Sequence, residues 1–219
     1  MGTLAPGAAT AAGTARFRER FAGRAGDGHF RRLGDLWLSS LGLGTYLGET
    51  DRRDDDLYTR AVLRVLDGGV NVIDSAVNYR CQRSERNIGR ALEGALDTGA
   101  IRRDEVVIAT KGGFLPFDGS RPADARSYFR SRFVDTGVIR PGELVAGCHC
   151  MTPRYLEDQI EQSRQNLGLE TIDIYYLHNP ETQLEEVPRD EFLERLRDAF
   201  ATLEAACDRG AIGCYGVAT

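Results

Sequence analysis

The chain has almost no lysine. Of its 28 basic residues, 27 are arginine, and the single lysine is Lys111. Arginine keeps its proton and presents a rigid fork, whereas an ammonium is compact and titrates when buried, so the two are not interchangeable at a chemical site. Long apolar runs are also missing: none approaches the roughly 20 residues that span a bilayer, which excludes a membrane helix. The five cysteines (Cys81, Cys148, Cys150, Cys207, Cys214) are odd in number and contain no CxxC pair. That argues for reduced thiols in a cytoplasmic setting. An excess of positive charge is missing as well. The formal net charge of −5 gives no reason to expect nucleic acid or an anionic membrane surface as a partner.

Two motifs are incomplete. Cys148-His149-Cys150 has three ligand-type residues in a row but no second pair at zinc-site spacing, so the thiols read as small hydrophobes in a loop and no metal is expected. Gly42, Gly44 and Gly48 miss the G-x-G-x-x-G spacing, and a charged loop (Glu49 to Asp56) follows where a dinucleotide fingerprint needs a helix. Residues 1–28, rich in Ala, Gly, Thr and Arg, lack hydrophobic periodicity and read as a disordered, flexible leader.

What is present is ordinary globular composition, 42% hydrophobic and 28% charged, over 219 residues. That length suits one large domain or two small ones. Phe30 to Leu47 carries strand-like runs, a short N-terminal hairpin, ending near Leu41–Thr45. One pattern then repeats. Asp54-Asp55-Asp56 cap a helix with Leu57, Ala61, Val65 and Leu66 inward, and Gly68-Gly69 end it. A strand over 70–73 terminates in Asp74. Ser84 caps a second helix with Glu85 in its first turn and Ile88, Ala91, Leu92 and Leu96 inward. The strand 105–110 runs into Lys111. Residues 114–152 form a long insertion, beyond the length of an ordinary connection. Pro153 opens a third helix that Gly168 stops; the strand 171–177 terminates in His178; Pro188 opens a long helix, and Ile212 to Ala218 is a last strand.

Strands alternating with amphipathic helices call for an α/β fold with parallel strands, either a doubly wound sheet or a (β/α) barrel. Element order alone does not choose. In either case Asp74, Lys111 and His178, each at a strand's C-terminal end, share one face, with Tyr79 in the loop above it. A phenol is a poor proton donor near neutrality, and a nearby ammonium stabilises its anion. A carboxylate fixes that ammonium, and an imidazole can orient a substrate oxygen. The set suits protonation of a carbonyl oxygen while a reduced cofactor supplies hydride.

Asp74-Ser-Ala-Val-Asn-Tyr79 followed by Ser84-Glu85-Arg-Asn-Ile-Gly89-Arg-Ala-Leu92 resembles the signature of the aldo-keto reductases, with Gly42-Leu-Gly-Thr45, Ala-Thr-Lys111 and Tyr-Leu-His178-Asn-Pro180 in that family's order. The resemblance runs from about Leu33 to the last residue. It implies a TIM-type parallel (β/α)8 barrel that reduces an aldehyde or ketone with NADPH, NADH not excluded. It implies Tyr79 as general acid, Lys111 and Asp74 as its tuning pair, and His178 as the carbonyl-orienting residue. Gly44, Thr45, Tyr46, Asp74 and Thr219 are implied at the cofactor, and Tyr46, Arg80, Phe114 and Asn179 at the substrate pocket.

Departures from the family pattern bear on the site. Arg80, Cys81 and Gln82 stand where the family has glycines, and Gly216-Val-Ala-Thr219 where relatives commonly read Gly-Val-Ser-Asn. About five strands of eight are counted, so the barrel is expected to be incomplete over residues 29–219 and marginally stable, with sheet edges prone to association. The alternative reading is a non-catalytic cofactor-binding or regulatory protein on a reductase-like half barrel.

Overall fold

The computed structural model describes residues 3–219. Its centre is a five-stranded parallel sheet in sequence order: β3 (Leu43–Gly44), β4 (Val72–Asp74), β5 (Val107–Gly112), β6 (Ile172–His178) and β7 (Ile212–Ala218). Each strand lies within a few residues of its expected place. The order never reverses, so among the described residues there is no switch point of the doubly wound kind. Helices α2 (Arg52–Asp67), α3 (Arg83–Asp97), α5 (Pro153–Leu167) and α6 (Arg189–Asp208) follow the strands, with successive helices packed on each other. That is the arrangement of consecutive units in a partial barrel wall. Strand β5 is buried along its whole length, as expected of a parallel strand covered on both faces.

The hairpin expected near the N-terminus is β1 (Phe30–Leu33) paired antiparallel with β2 (Leu36–Ser39). The leader, by contrast, is not disordered over its described part. Ala11–Arg20 form a helix, α1, whose first turn is capped by the Thr10 side chain accepting from Gly13 N at 2.9 Å. Phe17 is fully buried, with its ring 5.1 Å from Phe21 and 6.2 Å from Phe30. Arg16 bonds Asp104 and Glu105 at 2.5 and 2.9 Å, and Arg20 bonds Glu105 at 2.8 Å. The helix has too little apolar periodicity to stand alone. A few buried positions and ion pairs to a turn far along the chain order it, and neither is visible in local composition.

Two caps also differ from expectation. Asp51, not the Asp54–Asp56 run, caps α2 by accepting from Asp54 N at 2.8 Å. Ser84 lies inside α3, which starts at Arg83, and donates to Thr45 O at 2.7 Å. Asp55 and Glu85 are drawn inward and bonded across elements. Glu85 is wholly buried and accepts from Thr110 Oγ1 at 2.7 Å and Asn166 Nδ2 at 2.8 Å, tying α3 and α5 to the residue that precedes Lys111. Burial holds its carboxyl above the usual carboxylate range.

The insertion is ordered and folded on itself. Its two ends zip together: Leu115 N donates to Cys148 O at 2.8 Å and Cys150 N to Gly113 O at 2.9 Å. Between them lie α4 (Ala125–Phe129) and a π-helical turn whose Phe133 packs on Tyr155 of α5 at 5.8 Å. Among the described residues no helix is long and apolar enough to cross a membrane.

Candidate active site

The C-terminal ends of β4, β5 and β6 gather three of the four candidate residues, and the turn after β4 supplies Tyr79. Register pairs Gly44 with Asp74, Asp74 with Ala109, and Lys111 with Tyr176. Lys111 is only 7% exposed. Its Nζ donates to Asp74 Oδ2 at 2.6 Å and to Ser75 O at 2.7 Å, and lies 5.1 Å from the centre of the Tyr79 ring. The Tyr79 ring meets Tyr46 edge-on at 5.0 Å and His178 at 5.8 Å. Lysine, carboxylate, phenol and imidazole thus form one contiguous set.

The electrostatics run opposite to the expected acidification. Burial, then the Asp74 carboxylate and the Tyr46 phenol, push the Tyr79 phenol above its ordinary value. The ammonium has given two donors to Asp74 and Ser75, so Tyr79 sees an ion pair rather than a free positive charge. Such a phenol holds its proton at neutral pH. Burial, then the positive Lys111, lower His178 to about 4, so the imidazole is neutral at pH 7. Its Nδ1 is buried without a partner among the described residues.

The remaining candidates divide. Gly44, Tyr46 and Thr219 are exposed at strand ends of this face, and no atom lies within 4 Å of where a Cβ on Gly44 would stand. With the part-exposed Asp74 they edge an open stretch of this face. Thr45 is not among them: it is fully buried, its hydroxyl bonded to Asp74 O at 3.1 Å and Ser75 Oγ at 3.0 Å. It pins β3 to β4 from inside. Phe114 packs edge-on against His178 at 5.1 Å. Asn179 takes a left-handed backbone (φ 44°) directly after His178, and its amide donates to Glu181 at 2.7 Å.

Arg80 is no pocket wall. It donates to Glu49 O at 2.6 and 2.9 Å and to Asp55 at 2.9 Å, over the ring of Tyr58. Arg83 and Asn87 complete the shell around Asp55, whose carboxyl these bonds hold below the usual range despite its burial. The clamp has a backbone counterpart: Arg80, Cys81 and Gln82 have φ of 48°, 56° and 70°. Left-handed residues with a Cβ cost about 1–2 kcal/mol each, and here the clamp and the Gln82 amide, bonded to Phe117 O at 3.0 Å, hold them.

Sequence reasoning missed His149. The sequence places it in a loop of thiols, yet it is fully buried, 5.1 Å from the Phe114 ring, with Nε2 2.8 Å from His178 O. Among the described residues no group of three or more His, Cys, Asp or Glu is placed to hold a metal ion. The signal that could have singled His149 out is scarcity, because the chain has three histidines.

A family model described as "Aldo/keto reductase family" matches residues 40–219. The D-threo-aldose 1-dehydrogenase of a Pseudomonas species is 29% identical over 186 residues, covering 83% of this chain and 50% of that protein. The NADH-specific methylglyoxal reductase of Escherichia coli is 25% identical over 192 residues, covering 84% and 49%. Among solved structures, the holo form of an aldo-keto reductase from Bacillus halodurans matches with a TM-score of 0.58 at 25% identity, covering 86% of this chain and 49% of that one. The chain spans about half the length of the curated relatives it matches.

Proposed function

Because the chain belongs to the aldo/keto reductase family, we propose that it carries the proton-transfer half of a nicotinamide-dependent reduction of an aldehyde or ketone to an alcohol, with NADPH as cofactor and Tyr79 as general acid. The observation that carries this is the 2.6 Å Lys111–Asp74 ion pair set against the Tyr79 ring, with the neutral His178 edge-on to the same ring at 5.8 Å.

The roles follow from donors and acceptors. His178, neutral, offers Nε2 to the carbonyl oxygen as a donor and orients it without contributing a full charge. Tyr79 keeps its proton in the resting protein and releases it to the same oxygen as negative charge develops there. The phenolate left behind faces the Lys111 ammonium, whose third N–H is uncommitted, and that attraction exists only once the proton has moved. Asp74 and Ser75 O hold the ammonium in place. The bound nicotinamide would supply hydride to the carbonyl carbon. Gly44, Tyr46, Asp74 and Thr219 are the residues that would hold that ring; Tyr46 and Phe114 would line the substrate side.

The test is NADPH oxidation with a panel of simple aldehydes, run on the 219-residue chain and on any longer product of its coding region. Tyr79→Phe is expected to lower the rate by about 10²–10³-fold, the range of general acid catalysis, with the fold unchanged by circular dichroism. Equal rates for parent and Tyr79→Phe would overturn the mechanism.

A further inference from the structure

The geometry points to His149 as a positioning residue for His178: Gln183 holds it as the Nε2–H tautomer, and it fixes the main chain of the carbonyl-binding histidine by donating to that residue's carbonyl. The inference rests on the role given to His178 above.

The tautomer follows from bonding partners alone. A guanidinium can only donate, and Arg195 Nη1 lies 2.7 Å from Gln183 Oε1, so the Gln183 amide has its oxygen toward Arg195 and its NH₂ toward His149. That NH₂ is 2.8 Å from His149 Nδ1, which must therefore accept and carry no proton. The proton is on Nε2, 2.8 Å from His178 O, which can only accept. Arg195 is itself held by Glu191 Oε1 at 2.7 and 3.1 Å. A directed chain thus runs from the surface of α6 through two fully buried side chains to the end of β6.

The fold is arranged to admit this chain. His178 is the last residue of β6, in register with Ala218; Asn179 then turns into the left-handed region while its N–H donates to Ala218 O at 2.7 Å, and the His178 carbonyl is left to the His149 side chain. The Phe114–His149 pairing at the insertion's zipped ends brings the imidazole beneath it. Gly113, between the two histidines, has no Cβ; one placed there would lie 2.6 Å from His178 O and 2.8 Å from His149 Nε2. Phe114 packs edge-on against both imidazoles at 5.1 Å. A shift of His178 relative to Tyr79 by even an ångström separates the two groups that must meet one oxygen, and misplacement of that size costs up to about a hundredfold in rate.

The experiment uses imidazole ¹⁵N resonances, readable without ambiguity because the chain has three histidines. In the parent, His149 is expected as the Nε2–H tautomer with its proton protected from exchange. Arg195→Ala frees Gln183 to turn and is expected to mix the two tautomers while the fold persists. His149→Leu is expected to raise the His178 titration midpoint from about 4 toward its ordinary value of 6.5, as the ring gains water. The other charges on His178, Lys111 and Glu181, are untouched by these changes. Where carbonyl reduction is measured, His149→Leu is expected to lower kcat about 10–100-fold with little change in cofactor KM, and His149→Gln, which keeps a donor near the Nε2 position, to restore most of it. An Nδ1–H tautomer in the parent would overturn the proposal, as would a His149→Leu variant with both His178 titration and rate unaltered. Should His149→Leu fail to fold, Arg195→Ala carries the same test. A parent without reductase activity would sink the functional reading and leave the tautomer and titration results to judge the positioning.

Discussion

Replacing Lys111 by methionine removes one charge from a buried strand end and leaves the hydrocarbon stem nearly intact. The ammonium stands 5.1 Å from the Tyr79 ring centre. At the effective dielectric of about 20 that describes such sites, the attraction for a phenolate at that separation is about 3 kcal/mol. Asp74 opposes it in the parent protein, since its carboxylate already pushes the phenol up. In Lys111→Met the carboxylate acts unopposed, so the whole of the 3 kcal/mol is lost from the transition state, about a hundredfold in rate. Lys111→Met combined with Asp74→Asn removes both charges and is expected to recover about a tenfold part of that loss. Lys111→Arg keeps the charge but places a larger, delocalised fork in a space that is 7% exposed, and is expected to lose most activity while the fold persists. Single-turnover NADPH oxidation across pH measures these effects, and tyrosinate absorbance in the same samples follows the Tyr79 titration, which should move further upward in Lys111→Met. If Lys111→Met and Lys111→Arg both turned over at the parent rate with the parent pH profile, the electrostatic account of Lys111 would fail.

Acid stability tests the burial of His178. Its folded value of about 4 lies below the unfolded 6.5, so between these values the unfolded chain binds more protons. Stability is therefore fully present above pH 6.5 and lost as pH falls toward 4, by up to about 3 kcal/mol from this group, and His149, also lowered by burial, adds in the same direction. Urea midpoints at pH 7 and pH 4.5 read this out; equal midpoints would contradict it. Phe17→Ala should cost about 3–5 kcal/mol if the N-terminal helix is part of the core, against near zero for a loose leader, as measured by the shift in thermal midpoint. Cys81→Gly relieves a left-handed residue with a Cβ and is expected to be neutral or to stabilise by about 1 kcal/mol after the added unfolded-state entropy. Arg80→Ala leaves Asp55 short of a partner and is expected to destabilise by about 2–3 kcal/mol. Denaturant unfolding of the pair separates the two, and a destabilised Cys81→Gly would refute the strain argument.

Much of the sheet was legible in the sequence because its signals are local. Short apolar runs ending in polar residues give strands; amphipathic stretches closed by Gly68 and Gly168 give helices. The alternation of the two forces parallel pairing, and parallel pairing puts Asp74, Lys111 and His178 on one face whatever the rest of the fold does. The rarity of lysine drew attention to a residue the structure seats 2.6 Å from Asp74. What stayed hidden depends on partners distant in the chain. The N-terminal helix is ordered by Asp104 and Glu105 and by the Phe17 contacts, none of which leaves a trace in the composition of residues 1–28. Arg80 looked like a rim residue because the clamp on Asp55 closes across 25 positions. Thr45 carried the right type for a ligand contact, and only the packing of β3 on β4 turned its hydroxyl inward. The state of the Tyr79 phenol was likewise a tertiary matter: the sequence supplied the ammonium, and the bonds to Asp74 and Ser75 decided how much of its charge the ring feels. His149 stood among thiols in sequence; only the zipped ends of the insertion carry it under His178. Residue types and strand ends were thus set by the sequence, because periodicity and chain direction are local. Tertiary structure decided which donors are spent and which face the site, because the hydrogen bonds that engage Lys111, Thr45, Arg80 and His149 come from other parts of the chain.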